Sequence, residues 1–547
     1  MQITCLGASR CVTGSSFLID NGQKKYLVDC GLFQGGRQME RLNHSPWGFN
    51  PAEIDALLLT HTHIDHSGRI PRLVKDGFRG KIYASGPTAE LAKILLLDSA
   101  HIQEMEAEWH GRKNKRKGEE AVEPLYRIED AEACLPLFEP VKEDEPFRLD
   151  ADLSVTFHNA GHILGSSILE IVSGPAERRR KIVFTGDLGY KGHMILKPPA
   201  ILTEADLLFI ESTYGNRNHK SLVESEQELL HAIRYSHEHG EKVLIPAFAV
   251  ERTQELLFMI GKFFRQKLIA PIPVYLDSPL AISATTIFSH MRQYYDAETR
   301  ALFDSGNDPF NFEQLVCTRS SQESMDINNQ AGPAIVIAGN GMCSAGRIRH
   351  HLKHNLWRPG CSLVIAGYQA VGTLGRSLVE GTRMVKILGE RVVVRAKIFT
   401  IGGLSAHADQ NGLLEWLGHF KNPAMRVNVI HGESSVSDEF AELIRRKFNF
   451  KVYVPSIGDR ISDEGEVERA EKVVVIQPQE PAINFYLEEL AQKADALRAL
   501  LAGAQAGLPA HVLQRIEDEM ASARSHLEDA LSSARGIDRQ ANGRAGK

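Results

Sequence analysis

No apolar run in this 547-residue chain approaches the roughly 20 residues needed to cross a bilayer, so no membrane span is expected. The first residues, Met1-Gln2-Ile3-Thr4-Cys5-Leu6-Gly7, lack the basic stretch and long apolar core of an export signal and read as an opening strand. Seven cysteines, an odd number at irregular spacing with no CxxC pair and no zinc-finger spacing, exclude a disulfide scaffold. Together these absences lead to the expectation of a cytoplasmic protein with reduced thiols. Positive charge is also in short supply. A net charge of −6 excludes a generally basic nucleic-acid scaffold, so any grip on a polyanion has to be local. The remaining composition, 43% hydrophobic and 24% charged, is that of a globular chain long enough for two or more domains.

One hexapeptide stands apart. His61-Thr62-His63-Ile64-Asp65-His66 follows the apolar run Ala56-Leu57-Leu58-Leu59, which reads as a buried strand ending at Thr60. Imidazole nitrogens and carboxylate oxygens are the usual ligands of a catalytic zinc site. Alternation in an extended segment sends His61 and His63 to one side, while Asp65 and His66 can turn toward another point, which suits two metals side by side. The bland alternative is a polar loop of surface histidines. Against it, this composition yields such a pattern by chance in roughly a few chains per thousand.

Further ligands then belong at the ends of other strands, and several are there. Val155-Thr156-Phe157 leads to a glycine-flanked turn bearing His162, Lys181 to Phe184 leads to Asp187, and Val427 to Ile430 leads to His431. A lone strand-end Asp or His is more often a turn or cap residue, but four such ends in one chain reinforce one another.

In this order the motifs resemble the metallo-β-lactamase superfamily: Asp29, the HxHxDH run, His162 and Asp187 match its successive metal motifs. Glu211 after the strand Leu207-Leu208-Phe209-Ile210, His407 in Leu404-Ser405-Ala406-His407-Ala408-Asp409, and His431 narrow the likeness to the β-CASP branch. The resemblance covers about residues 1 to 465. It implies an α/β fold: an αββα sandwich with an inserted parallel-sheet α/β domain. Nucleic-acid processing is implied as well. DNA-acting members typically lack the last histidine, so His431 favours RNA. The likeness is greater to cleavage-factor-type RNA endonucleases than to J-type 5′–3′ exoribonucleases.

The resemblance further implies that His61, His63 and His162 hold one zinc, that Asp65, His66 and His431 hold another, and that Asp187 bridges them. Manganese or iron could substitute at such N/O sites. Asp29, after Tyr26-Leu27-Val28, is expected to orient a ligand histidine rather than bind metal. Phosphodiester hydrolysis needs a nucleophile, neutralisation of developing charge and a proton for the leaving oxygen; a metal pair supplies the first two. His407, steadied by Glu211, is then available for the third. Its rival role is as a metal ligand in place of His431. Ser405 and His407 are expected at the scissile phosphate. Two other functional classes stay open: hydrolysis of a small ester, lactam or thioester, and a non-catalytic scaffold. The large insert and the Glu211/His407 pair count against the first, and the complete ligand set against the second.

Four segments are expected: 1–212 and 396–465 for the metallo-β-lactamase domain, 213–395 for the β-CASP insert, and 480–535 for a C-terminal helical hairpin. Within the insert, apolar strands alternate with helical periods, which implies a parallel sheet covered on both faces. Its glycine-rich strand-end turns, 339–347 and 367–376, are either tight turns or phosphate cradles. By family likeness they line the cleft between domains, making Arg347 and Arg376 candidate RNA-backbone contacts. Two basic runs, Arg112–Lys117 and Arg178–Lys181, read either as solvated segments or as phosphate contacts, with the second closing a hairpin. In the hairpin, Ile483, Leu487, Leu490, Ala494, Leu497 and Leu501 recur at helical spacing. That face either packs on the body of the chain or serves a second copy or a protein partner. The polar tail from Gly536 is expected to be disordered.

Overall fold

The structure, a computed structural model, describes residues 1–115, 123–175, 178–367, 369 and 372–470. The expected hairpin at 480–535, its partner surface and the tail lie outside these residues. Two sheets form the centre of the first part. The eight-stranded sheet contains three parallel neighbours, Lys25–Val28, Ala56–Leu58 and Lys81–Ser85. The seven-stranded sheet contains Arg180–Phe184, Leu207–Glu211 and Arg426–Ile430, also parallel. Beside them runs the antiparallel pair Leu153–Asn159 and Ser167–Ser173.

The parallel strands are mostly apolar beyond the charged residues that open several of them, such as Lys25, Lys81 and Arg180, because both faces are covered. Phe17, Leu58, Val155, Ile182, Phe184 and Phe209 fill the space between the sheets, and the Phe184 and Phe209 rings stack at 4.4 Å. Full burial of each such side chain stabilises the sandwich by about 1.5–3 kcal/mol. Ile70–Lys75 and Gly86–Lys115 cover the outer face of the larger sheet. Gln410–Leu417 and Ser434–Phe448 cover the outer face of the smaller one. The layer order is αββα. No helix among the described residues is long and apolar enough to cross a membrane.

A third sheet has six parallel strands in the order Leu315–Cys317, Val274–Asp277, Ala334–Gly339, Lys242–Ala247, Ser362–Ile365, Lys397–Thr400. Leu222–Glu238, Arg252–Arg265 and Pro279–His290 pack on one face. Ser321–Asn329 and Ile348–Asn355 pack on the other. The long helix Gly86–Lys115 also rests against Pro279–His290, so one helix serves both sheet systems.

The end of the insert differs from expectation. The chain does not pass back to the first domain at 395. Instead Glu390–Val393 pairs with Met384–Ile387 in a two-stranded hairpin. Its turn residues, Leu388 and Gly389, both have left-handed φ, 51° and 88°, the backbone that a two-residue hairpin needs. Lys397–Thr400 then adds to the third sheet beside Ser362–Ile365, so that sheet extends past residue 395.

Candidate metal centre

Strand register brings the motif residues to one edge. Val28 lies beside Leu58 in a parallel pair, so Asp29 and the Thr60–His66 segment leave the larger sheet at the same end. In the smaller sheet Phe184 pairs with Phe209 and Glu211 with Ile430, so Asp187, Glu211 and His431 emerge together. Asn159 pairs with Ser167, which sets the His162 loop at that same edge. The Ser167 N–H donates to Thr60 O at 2.8 Å and ties the two edges to each other. Ile64–Ser67 coils into one helical turn. It is held by backbone hydrogen bonds from Ser15 to Asp65, Leu32 to Ile64 and Cys30 to His66. Gly31 permits this close approach: a Cβ there would lie 1.6 Å from Asp65 O.

The side chains fall into two groups that share one carboxylate. His61 Nε2 and His162 Nε2 each stand 3.2 Å from His63 Nδ1. Asp187 Oδ2 is 3.4 Å from His61 Nε2 and 3.5 Å from His162 Nε2. Across the carboxylate, Asp187 Oδ1 is 3.3 Å from His66 Nε2 and 3.6 Å from His431 Nδ1. His66 and His431 meet through their Nε2 atoms at 3.0 Å, and Asp65 Oδ2 is 3.6 Å from His431 Nε2. The ligand atoms of His61, His63, His162 and Asp187 converge, as do those of Asp65, His66 and His431. His407 belongs to neither group.

Burial first, and crowding by neighbouring charge second, pushes His61, His63 and His162 below ordinary histidine, His63 to about 3. Such imidazoles stay neutral and keep a lone pair. His162 Nδ1 and Asp187 Oδ1 are buried without a hydrogen-bond partner among the described residues. Lone pairs facing one another at this spacing, around a carboxylate with an unspent oxygen, fit a divalent cation. A third convergence, Asp187, Glu211 and His431, fits less well. The Glu211 carboxylate already accepts from Leu188 N at 2.7 Å and Thr213 N at 3.2 Å.

Outside the two groups, Asp29 Oδ2 sits 2.7 Å from His66 Nδ1. Its carboxylate is held in turn by Thr60 N, Thr60 Oγ1 and Ser15 Oγ. A carboxylate at that distance favours a proton on His66 Nδ1, and Nε2 is turned toward the centre. Glu211 Oε1 lies 3.1 Å from His407 Nδ1, which leaves His407 Nε2 facing Asp187 Oδ2 at 3.9 Å. Burial opposes protonation of His407, but Glu211 and Asp187 outweigh it and raise the ring to about 9. Ser405 Oγ accepts from His407 N at 3.3 Å.

Several partners escaped the sequence reading. Thr60 Oγ1 contacts His61 Nδ1 at 3.1 Å, and Thr213 Oγ1 contacts His431 Nδ1 at 3.1 Å. The sole hint was a hydroxyl residue next to each motif. His219 Nε2 bonds to His407 O at 3.1 Å. Glu251 Oε2 accepts from Leu164 N at 3.0 Å, joining the inserted domain to the His162 loop, and His193 Nε2 meets Glu255 at 3.0 Å close by.

The expected outer contacts fare unevenly. Arg347 is turned inward: its guanidinium bonds to Asp277 Oδ1 at 2.7 Å, Thr318 O at 3.2 Å and Arg319 O at 2.6 Å. Asp277 is fully buried, and a buried carboxylate demands such pairing, so Arg347 braces the insert. Arg376, on the helix Leu374–Val379, donates from Nε to Glu380 at 2.6 Å. The Arg178–Lys181 run leads into the strand Arg180–Phe184 at the end opposite the metal edge. There Arg180 faces Asp206 and Glu464, and Lys181 faces Glu170. Arg112 lies in the last turn of Gly86–Lys115, 4.0 Å from Glu108, and the run from 116 lies outside the described residues.

Three family descriptions match the chain: Metallo-beta-lactamase superfamily over residues 9–237, Beta-Casp domain over 253–378, and Zn-dependent metallo-hydrolase RNA specificity domain over 391–455. The chain is 39% identical over 433 residues to ribonuclease TTHA0252 of Thermus thermophilus, covering 79% of this chain and 93% of that protein. It is 30% identical over 470 residues to transcription termination factor FttA of Methanocaldococcus jannaschii, covering 84% and 71%. Against the FttA of Thermococcus kodakarensis, identity is 31% over 478 residues, with 84% and 71% covered.

Proposed function

Because the chain belongs to the β-CASP family of the metallo-β-lactamase superfamily, we propose that it is a metal-dependent ribonuclease that cuts RNA phosphodiester bonds, mainly internally, with two zinc ions. The observation that carries this reading is the Asp187 carboxylate, which turns one oxygen to each histidine group while the Glu211–His407 pair stands beside it. The name of the Thermus relative supplies the substrate class.

In this reading His61, His63 and His162 hold one ion, Asp65, His66 and His431 hold the other, and Asp187 is shared. When bound, the ions supply an activated water and neutralise charge developing on the phosphate. The chain's own residues do the rest. Asp29 fixes the tautomer of His66, and Thr60 and Thr213 steady His61 and His431 by their hydroxyls. The Glu211 and Asp187 carboxylates favour the protonated ring of His407. Glu211 holds its Nδ1–H, and its Nε2–H is delivered to the departing 3′ oxygen. Ser405 and Arg376 are the remaining candidate contacts to the RNA backbone.

The experiment incubates purified protein with end-labelled RNA, with and without chelator, beside an Asp65→Ala control, and repeats it on RNA with a blocked 5′ end. Internal fragments that survive blocking, and vanish with chelator or in the variant, are expected. Cleavage that persists in chelator overturns the metal role, and cleavage lost on blocking replaces internal cutting with 5′-end-dependent degradation.

A further inference from the structure

Charge is unevenly spread over this acidic chain. Residues 341–400 carry ten Lys and Arg against two Glu and no Asp. Both acids are already matched: Glu390 by Lys353 at 2.6 Å and Glu380 by Arg376 at 2.6 Å. Arg347 and Arg358 are spent on Asp277 and Glu241, and Lys397 lies over Tyr235 on the opposite face; the others with no acid partner lie on or beside Ile348–Asn355 and the hairpin strand Met384–Ile387 that it packs on.

On that hairpin Lys386 stands directly opposite Arg391, and both are exposed. Like charges directly opposite destabilise a strand pair, so the arrangement is costly unless an anion covers it. Arg349, Arg383, Lys386, Arg391 and Arg395 have no ion-pair partner among the described residues. Some lysines elsewhere on the surface are paired, such as Lys25 with Glu53 and Lys262 with Glu226, each at 2.6 Å. Just past the helix, Trp357 is 49% exposed, with the Arg358 guanidinium 5.8 Å from its ring centroid. Partial burial and neighbouring cations hold His350 and His354 below ordinary histidine.

Topology relates this face to the metal edge. The strand Ala334–Gly339 ends beside Lys242–Ala247, and Glu251, four residues beyond Ala247, bonds the His162 loop. The helix Ile348–Asn355 starts at that end and runs back, so Trp357 lies toward the opposite pole, ahead of Ser362–Ile365.

We propose that this face, with Arg349, Lys386, Arg391 and Arg395 for phosphates and Trp357 for a stacked base, is an exosite for single-stranded RNA outside the metal centre. It rests on the ribonuclease reading above. Clustered unpaired cations gain affinity for a phosphate chain by counterion release. An exposed aromatic ring among them suits an unpaired base better than an acidic protein surface.

The test uses the full chain and two single-stranded RNAs, of about 8 and about 30 nucleotides, the shorter matching one compact binding site. The variants are Trp357→Ala and the double substitution Lys386→Gln with Arg391→Gln. Binding is measured in chelator and cleavage in metal. For the longer RNA the double variant should bind about tenfold more weakly, with the slope of log Kd against log salt flatter by about 1.4. Cleavage of the shorter RNA should keep its kcat/KM in both variants. An unchanged Kd and slope for the longer RNA overturns the exosite and leaves the face to an acidic protein. Equal losses on both RNAs overturn it too, as general damage. Wild-type protein that cuts neither RNA sinks the ribonuclease reading, whereas wild-type cleavage with indifferent variants sinks the exosite alone.

Discussion

The molecule buries two clusters of histidine and carboxylate at strand ends, and they spend their lone pairs differently. In the inserted domain, Asp277 receives His351 at 2.7 Å, Ser324 at 2.5 Å, Thr318 at 2.7 Å and Arg347 at 2.7 Å. His351 uses its other nitrogen on Asn328. Every polar atom of that carboxylate has a partner, and the cluster is complete as it stands. At the metal edge the same residue types face one another instead: Nε2 against Nδ1, Nε2 against Nε2, and Asp187 Oδ1 with no hydrogen bond among the described residues. A buried polar cluster closed on itself braces a fold, and one whose acceptors converge on a common point awaits a cation. Burial alone does not separate the two, since Asp187 and Asp277 are 1% and 0% exposed.

The largest effect that sharpens this contrast is expected from Asp187→Ala. Both groups lose their shared oxygen ligand, so metal content and RNA cleavage should fall to background by elemental analysis and single-turnover assay. Full metal retention in the variant would remove Asp187 from its bridging place. Next comes His407→Ala, which should keep its metal while cleavage falls about 10²- to 10⁴-fold. Metal lost with the activity would make His407 a ligand.

Asp277→Ala should act on the other side of the comparison. It leaves the buried His351 and the partly exposed Arg347 without their carboxylate, at about 3–5 kcal/mol of stability by denaturant unfolding, with metal content intact. Metal loss here would mean that the clusters are one coupled unit. A finer version uses pH. Burial raises the Asp277 carboxyl, but its four hydrogen-bond donors bring it from 3.8 down to about 2. The folded form therefore holds its proton less tightly than the unfolded chain. The stabilisation is full above about pH 4 and lost as pH falls toward 2. In Asp277→Asn that dependence should be flatter, read from unfolding curves across this window. An equal slope in both proteins would assign the acid sensitivity elsewhere.

The ligand types were legible because each sits at the end of an apolar strand, where the chain turns and a polar side chain has a reason to be: His61 to His66 after Ala56–Leu58, Asp187 after Arg180–Phe184, His431 after Arg426–Ile430. The layers were legible for the same reason, since unbroken apolar strands need cover on both faces. What stayed hidden was contact at long range. Thr60 and Thr213 carry no spacing signal, and Glu251 reaches Leu164 across 87 positions. Arg347 looked like a phosphate contact because it follows a glycine-rich turn, and only the packing shows Asp277 beneath it. The strand Lys397–Thr400 has no feature of its own that says which sheet it joins.

Residue chemistry and local periodicity, both properties of short stretches, determined which side chains this protein offers to a metal and which segments become strands. Three-dimensional register decided the remainder. His66 and His431 meet although 365 positions separate them, because parallel strands bring their ends to one edge and the closely packed Phe184 and Phe209 rings between the sheets hold them there. Distance along a chain carries no information about such meetings, since they are set by the burial of apolar surface elsewhere in the fold.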